Sequence, residues 1–303
     1  MDTQSLQAFI SVAETGSFSR AAEILHLTQP AVSKRIANLE SQLDCRLFDR
    51  IGRQTHLTEA GQALMPRARK VLVELEDTRR LLNNINGAIA GSLVLGTSHH
   101  IGLHRLPPVL KAFTSSFPQV KLDMRFLDSE QAYEGIVQGE LELAVVTLSP
   151  KHIALPQHTA STQYSTNLTV VPIWNDRLRV VAAKDHPITQ LKEIELKTLT
   201  QYDAVLPGFQ TFTRGIVATA FAKQNLDLQV ALSTNYMETL KMMVSIGLGW
   251  SVLPETLIDD TMQVIHLPEI DLTRPLGYLY HQERTLSNAS QQLIKLLEQH
   301  KDL

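Results

Sequence analysis

The hydrophobic pattern of the first 58 residues predicts three short helices followed by a hairpin. The first helix is expected to stop at Thr15-Gly16, and Ser19 is the predicted cap of the second. The third is predicted from Thr28, whose hydroxyl can cap it, to about Leu43, with Pro30 tolerated in its first turn. Two short apolar segments around a basic glycine turn then predict a β-hairpin wing.

The third helix has two contrasting faces. Its predicted buried stripe consists of Val32, Ile36, Leu39 and Leu43. The opposite face carries short or flexible side chains, namely Pro30, Ser33, Lys34 and Ala37, with Gln29 at the helix entrance. Such a face can enter the major groove of DNA, where Gln reaches a base edge and Ser or Lys reaches a base or a phosphate. A three-helix bundle that only packs is the alternative, because helix-turn-helix patterns are common in helical proteins.

A long amphipathic helix is predicted after Thr58. One set of positions recurs along it at alternating spacings of four and three residues, and all of these positions are apolar except Thr78. They are Leu64, Ala68, Val71, Leu75, Thr78, Leu82 and Ile85. A helix of this length extends about 40 Å, too far to be covered by a domain of sixty residues. A dimer seam is therefore favoured over packing on the same chain. The turn formers Asn86-Gly87 and Ala90-Gly91-Ser92 predict a hinge.

The remaining two thirds of the chain alternate short apolar runs with amphipathic stretches. The order βαβαβ predicts a parallel sheet with helices on both faces, and a second similar set predicts a second α/β lobe. The chain is expected to cross between the lobes near Leu155–Leu168 and Leu267–Pro275.

Ligands of open α/β sheets bind beyond the carboxyl ends of the strands. Those ends are predicted at Thr97-Ser98-His99-His100, Asp128-Ser129, Thr147 and the loop from Pro207 to Thr213. Their hydroxyls and helix starts favour a small polar or anionic ligand. Ser98 and Ser129 can equally serve as helix caps.

Composition and charge narrow the class of protein. The chain has 303 residues, 44% of them hydrophobic, which predicts more than one globular domain. The net charge is −3, but residues 28 to 70 carry eight basic and four acidic side chains, so this segment is +4 and the rest is −7. Polyanion binding by that segment is one interpretation, and a solvated basic surface is the other.

The single cysteine, Cys45, excludes an intrachain disulfide, and a buried thiol is its expected state. Without a hydrophobic run long enough for a membrane span or a signal peptide, a cytoplasmic location is expected.

Catalytic patterns are weak. Ser98 beside His99 and His100 lacks a nucleophile-elbow motif, and no acidic partner can be assigned. His100 and His104 could share a helix face as metal ligands, but no neighbouring carboxylate is evident, so a surface or pocket pair is favoured. Gly247-Leu248-Gly249 lacks the third glycine of a dinucleotide fingerprint. We therefore predict no enzyme, no cofactor and no metal.

Long stretches of the sequence resemble the LysR-type transcriptional regulators. The N-terminal motifs are AETGSFSRAAEILHLTQPAVSKRIANLE, LFDR and LTEAG; the C-terminal ones are LPPVLKAFTSSFPQVKLDMRF, VQGELELAVVT, KDHP and MVSIGLGWSVLPE. Two departures are Lys34, where Arg is frequent, and Cys45, where Gly is common. Lys cannot form the bidentate contact that Arg makes with guanine, so base preference there is open.

The resemblance implies a multidomain chain. It comprises an all-α winged helix-turn-helix DNA-binding domain (1–58), a dimerising linker helix (59–86), a hinge (87–92) and an α/β effector-binding domain (93–303) similar to periplasmic binding proteins. Its two Rossmann-like lobes are expected at about 93–160 with 268–303, and at about 161–267. The implied partners are double-stranded operator DNA, a small polar or anionic metabolite and a second copy of the chain, which pairs through the linker helix. Pairing of dimers into a tetramer is also implied, and RNA polymerase is a further candidate partner.

The resemblance also implies site residues. DNA contacts are expected at Gln29, Pro30, Ser33, Lys34 and Arg53. Effector contacts are expected at Ser98, His99, His100, Ser129, Thr147, Gly208, Thr211 and Thr213. A solute-binding protein with an accidental helical N-terminus is the alternative function.

Overall fold

The computed structural model describes residues 1–51, 54–150 and 167–302. The chain divides into two compact units, Met1–Asn86 and Gly87–Leu303. The bounds of the elements of the first unit are α1 Thr3–Thr15, α2 Phe18–Ile24, α3 Gln29–Leu43, β1 Phe48–Ile51, β2 Gln54–Leu57 and α4 Glu59–Ile85. The strands β1 and β2 pair antiparallel as the predicted hairpin.

Local capping explains the helix order of the first unit. Gly16 ends α1 in the left-handed conformation. Ser17, not Ser19 as predicted, caps α2 by accepting a hydrogen bond from the backbone N–H of Arg20. The prediction of Ser19 as the cap was wrong because the helix begins two residues earlier than that cap implies, at Phe18. The predicted caps Thr28 and Thr58 both accept such bonds at the starts of α3 and α4.

The core of this unit lies between α1, α2 and α3. Val32, Ile36 and Leu39 are buried in it as predicted, whereas Leu43 is 37% exposed, because α3 ends there. The first turns of α4 also belong to this core through Ala68. The predicted linker seam therefore divides: its first part packs on its own unit, and its apolar positions are exposed from Val71 onward.

The second unit contains the remaining elements. Their bounds are β3 Gly91–Thr97, α5 His99–His104, α6 Leu106–Ser116, β4 Val120–Phe126, α7 Ser129–Gln138, β5 Leu143–Thr147, β6 Leu168–Ala183, α8 Leu196–Leu199, β7 Val205–Leu206, α9 Phe212–Ala222, β8 Leu232–Ser233, α10 Met237–Ser245, β9 Ser251–Pro254, β10 Met262–Ile265, β11 Leu272–His281 and α11 Asn288–Gln299. Two 3₁₀ turns, Pro187–Gln190 and Glu255–Leu257, complete the described elements.

The parallel pairing predicted for the first βαβαβ set is confirmed, and the complete sheet is mixed. β3 pairs parallel with β4 and β5, but β11 runs antiparallel to β5 and β6, and β6 runs antiparallel to β9 and β10. β6 therefore runs in the same direction as β3, β4 and β5, and β11, which returns from the second lobe, runs opposite to them. β6 and β11 are long enough to belong to both lobes. Each lobe has its own buried cores, one around Leu95 and one around Trp250.

Several predicted elements differ in extent. β6 begins at Leu168 rather than Leu178, so residues 168–175 pair beside the first-lobe part of β11. Of the helix expected near Leu191–Leu199, the short α8 Leu196–Leu199 is helical, and a 3₁₀ turn, Pro187–Gln190, precedes the expected range. β3 begins at Gly91, inside the segment predicted as a hinge. The first crossing falls mostly on residues 151–166, which lie outside the described residues.

Candidate functional sites

The polar face of α3 has the predicted arrangement. Gln29 and Lys34 are exposed, and Ser33 is half-buried. The Gln29 amide donates a 2.9 Å hydrogen bond from Nε2 to Ser33 Oγ. This bond joins the first and second turns of α3 and holds the amide along the helix surface. Pro30 is also exposed.

Two further residues of the first unit were singled out by the sequence. Arg53, predicted to contact DNA from the wing, lies outside the described residues. Cys45 is half-buried against the core rather than fully buried. The Cys45 N–H bonds to the carbonyl of Glu40, and a Glu40 carboxylate oxygen accepts a 2.7 Å bond from Leu47 N–H, which fixes the approach to the wing.

A cleft of about 40 Å³ lies between the two lobes of the second unit. Seven of the eight predicted effector residues line it: Ser98, His99, His100, Ser129, Thr147, Thr211 and Thr213. Gly208 does not line it, because its backbone supports neighbours instead, donating to Asn235 Oδ1 and accepting from Thr211 Oγ1. The volume suffices for a few water molecules and is well below the roughly 300–1,000 Å³ of metabolite pockets.

A buried ion pair forms one wall of this cleft. Arg274 of β11 and Asp176 of β6 are both 2% exposed, and the guanidinium also donates to Thr213 Oγ1. Burial opposes ionisation of Asp176, but the polar contact with His100 and the attraction of Arg274 hold its pKa at about 2. Burial lowers the pKa of Arg274, and Asp176 counteracts that shift. Sequence reasoning missed this pair, although a charged residue within each of two apolar strands was a visible signal.

Polar contacts close the cleft from both sides. Asn235 Nδ2 donates a 2.6 Å hydrogen bond to Asp128 Oδ2, joining the second lobe to the start of α7. The backbone N–H of Phe212, at the start of α9, donates to Glu130 Oε1 at 2.5 Å. Burial raises the pKa of Glu130, and this hydrogen bond partly offsets the effect. A carboxylate of the protein thus occupies a helix N-terminus beside the cleft.

The two neighbouring histidines have different surroundings. The His99 ring lies between Phe126 and Tyr236, at centroid distances of 5.1 and 4.7 Å. His100 is buried, and burial lowers its pKa, which favours the neutral imidazole. Its Nε2 is 3.6 Å from Asp176 Oδ2.

Three hydroxyls of the cleft have distinct roles. Ser98 occupies the N-cap position of α5 but its side chain makes no capping bond. Ser129 Oγ accepts the N–H of Thr147 at 3.2 Å instead of capping α7. Thr211 caps α9 by accepting from Arg214 N–H at 3.2 Å. Of the three hydroxyls, that of Ser98 therefore contributes least to stabilising the fold.

The expectation that no carboxylate accompanies His100 and His104 is wrong. Glu238 of α10 brings Oε1 to 3.0 Å from His104 Nε2 and 4.0 Å from His100 Nδ1. The carboxylate is 134 positions from His104, so no local pattern could reveal it.

A helix-turn-helix unit with a wing, followed by a two-lobed α/β unit, is an architecture shared with known regulators. Residues 3–62 match the family described as "Bacterial regulatory helix-turn-helix protein, lysR family". Residues 86–302 match "LysR substrate binding domain". The chain therefore belongs to the LysR family of transcriptional regulators and carries a helix-turn-helix DNA-binding domain and a substrate-binding domain.

Relatives and solved structures agree with this assignment. An "Uncharacterized HTH-type transcriptional regulator in ibpB-leuC intergenic region" of Azotobacter vinelandii is 72% identical over 108 residues, covering 36% of this chain and 75% of the relative. A "Probable RuBisCO transcriptional regulator" of Synechocystis sp. is 28% identical, and the match covers 96% of this chain and 84% of the relative. A full-length OxyR variant from Pseudomonas aeruginosa shares the fold with a TM-score of 0.66 at 22% identity, covering 98% of both chains.

CbnR, a LysR family transcriptional regulator solved in complex with its target DNA, has a TM-score of 0.64 at 19% identity, covering 99% of this chain and 100% of its own. At this identity the likeness concerns the fold. Among the described residues, no helix combines the length and the apolar character that crossing a bilayer requires.

Proposed function

We propose that this chain is a sequence-specific DNA-binding regulator that reads a major groove with α3. The observation that carries the proposal is the contrast between the buried stripe of α3 and its exposed face with Gln29, Ser33 and Lys34. The side-chain amide can pair with a base edge, and the ammonium can neutralise a phosphate. Pro30 lets the helix start close to the DNA, and Arg53 would add a wing contact.

The active form is a homodimer paired through α4. Its apolar positions Val71, Leu75, Leu82 and Ile85 are between 40% and 74% exposed, and they continue the heptad seam. A second copy would bury them. Two-fold pairing makes the DNA target a near-palindrome whose half-site spacing follows the dimer. Pairing of dimers into a tetramer and contact with RNA polymerase extend the same proposal.

A small polar or anionic metabolite would bind between the lobes. Ser98, Ser129, Thr213 and Arg274 are among the residues that line the cleft, and they bring hydroxyls and one guanidinium to it. The small volume means that the lobes must separate to admit a metabolite. Such a ligand favours an arrangement of the lobes by its differential affinity, and typical couplings of about 1–3 kcal/mol suffice to change operator affinity.

Glu130 sets a condition on the ligand. Its carboxylate already accepts the Phe212 N–H that an anionic ligand would use. An anionic effector must displace the Glu130 carboxylate or bind when Glu130 is protonated. Burial raises the pKa of Glu130 and so increases the protonated population. Glu130→Gln removes the competing charge and keeps an acceptor. We expect it to tighten binding of anionic effectors and to leave neutral ones nearly unchanged.

The proposal is tested by selecting high-affinity sites from random DNA duplexes with the full chain. A near-palindromic consensus whose affinity falls in Ser33→Ala and Lys34→Ala supports it. Binding that shows no sequence preference contradicts it. The selected duplex then serves a screen of small carboxylic acids and neutral metabolites, in which an effector must change duplex affinity and raise the unfolding midpoint of the protein.

A further inference from the structure

Two imidazoles and one carboxylate meet where the lobes of the second unit touch. His100 and His104 belong to α5 of the first lobe, and Glu238 belongs to α10 of the second. One ligand atom from each of the three lies within 4.8 Å of those of the other two. The shortest approach is 3.0 Å, between His104 Nε2 and Glu238 Oε1.

His100 supplies an independent observation. It is 4% exposed, and neither ring nitrogen has a hydrogen-bond partner within the described part of the chain. Leaving a buried polar group unsatisfied is costly, so such groups commonly mark an ion, a water or a function. Nδ1 lies 4.0 Å from Glu238 Oε1, and Nε2 lies 3.6 Å from Asp176 Oδ2. The ring thus directs one nitrogen into the cluster and the other toward a carboxylate behind it.

We propose that His100, His104 and Glu238 bind one divalent transition-metal ion of the zinc type, and that this ion joins the two lobes. Two imidazoles and a carboxylate form a common zinc ligand set that leaves a position open for water or another ligand. With bonds of about 2.0–2.1 Å, ligand atoms in a tetrahedral site are about 3.3 Å apart. His104 Nε2 and Glu238 Oε1 are already slightly closer than this, at 3.0 Å, and bringing in His100 from the 4.8 Å limit of the cluster requires a shift of up to about 1.5 Å.

The surroundings also match a metal site. A metal-binding histidine commonly donates its second N–H to a carboxylate, which orients the ring and strengthens the ligand. Asp176 is placed for that role behind His100. The carboxylate of Glu238 offsets part of the charge of the ion, whereas the charge of Asp176 is already balanced by Arg274. The competing interpretation is a plain ion pair between His104 and Glu238, which leaves His100 without a partner and needs no metal.

The test titrates the chelator-treated full chain with Zn²⁺ in competition with a chromogenic zinc indicator. The variants are His104→Ala and Glu238→Gln; His266→Ala, which removes an exposed histidine outside the cluster, is the control. We expect one ion per chain in the wild type and the control. Both cluster variants should bind at least tenfold more weakly, since loss of an outer-shell partner alone costs about 10–100-fold. Circular dichroism verifies that each variant is folded.

The thermal response tests the bridge between lobes. Zn²⁺ at a concentration that saturates the wild type should raise the unfolding midpoint of the wild type and of His266→Ala equally, and should raise that of either cluster variant by clearly less. A wild type without a Zn²⁺ equivalent overturns the proposal, as does full affinity in either cluster variant. Loss in His104→Ala with retention in Glu238→Gln would place the ion on the first lobe and overturn the bridge. No DNA or effector enters these measurements, so their outcome is independent of the proposed function.

Discussion

Arg274 and Asp176 stand directly opposite each other on β11 and β6, and the guanidinium donates to a single carboxylate oxygen through both Nε, at 2.9 Å, and Nη2, at 2.7 Å. The other carboxylate oxygen, Oδ1, lies 3.5 Å from Arg105. Both strands pass between the lobes here. The wall of the cleft and the connection between the lobes thus depend on the same pair of charges.

Arg274→Ala should lower the free energy of unfolding of the second unit by about 3–5 kcal/mol, because it removes the nearest cation from the buried, charged Asp176 and leaves only Arg105 at 3.5 Å. Arg179→Ala is the control, since the side chains of Arg179 and Glu255 are 38% and 46% exposed. Such a pair contributes about 0–1 kcal/mol. Urea unfolding followed by Trp fluorescence measures both. Equal losses would show that burial does not set the value of the Arg274 pair.

Lys34→Ala should weaken binding to specific and random duplexes by similar factors. If its ammonium neutralises one phosphate, the slope of log affinity against log salt concentration should become shallower by about the amount that one phosphate contact contributes. Lys192→Ala removes an exposed charge from the second unit and is the matched control. Fluorescence anisotropy over a salt series measures the slope. A slope unchanged from that of the control would exclude a phosphate contact.

Gln29→Ala and Ser33→Ala should not be additive. Ser33 accepts the amide of Gln29, so removing either side chain already loses the arrangement that the pair provides. We expect a coupling of about 0.5 kcal/mol or more in a double-mutant cycle of operator affinity. Both single variants should reduce the ratio of the affinity for specific DNA to the affinity for random DNA. Additive losses would mean that the two side chains contact the duplex independently.

Leu75→Lys should disrupt pairing of two copies, because it places like charges on both sides of an apolar seam while keeping helix propensity. Operator affinity should fall although the first unit remains folded. Glu76→Lys, on the side of α4 away from the seam, is the control. Light scattering gives the oligomeric state. A Leu75→Lys protein that keeps the wild-type oligomer and operator affinity would place the interface elsewhere.

Ser98→Ala and Thr211→Ala should separate ligand contact from stability. Both are expected to weaken the response to an effector bound in the cleft. Only Thr211→Ala should also destabilise the fold, by about 1 kcal/mol, because Thr211 caps α9 whereas Ser98 caps nothing. Thr211→Ser retains the cap and is the control. Calorimetric titration with an identified effector decides the matter, and wild-type affinity in both alanine variants would move the ligand out of the cleft.

The sequence predicted the features that follow from local pattern. Helix caps at Thr28 and Thr58, the buried stripe of α3, and the polar strand ends beside the cleft are encoded by short-range spacing. The strand ends of the first lobe converge because β3, β4 and β5 are parallel and so end at one edge of the sheet.

Features that depend on distant residues were missed for the opposite reason. Glu238 approaches His104, and Asp176 pairs with Arg274, only because two lobes and two long antiparallel strands bring them together. No spacing rule connects such positions. The antiparallel pairing of β11 with β5, and of β6 with β9 and β10, was hidden similarly, since a buried strand has the same apolar pattern in a parallel or an antiparallel ladder.

The ladder between β6 and β11 shifts register between Leu276 and Gly277, within the part of β11 that pairs with β5 of the first lobe. An irregularity of this kind leaves backbone groups outside the regular ladder and increases the local twist. Bending there breaks fewer strand hydrogen bonds than bending a regular ribbon would. The adjoining ladder resists sliding of one strand along the other. Ile173, Trp174 and Leu276, which lie at this irregularity, are buried in the core of the first lobe, so the irregularity shapes the sheet within that lobe.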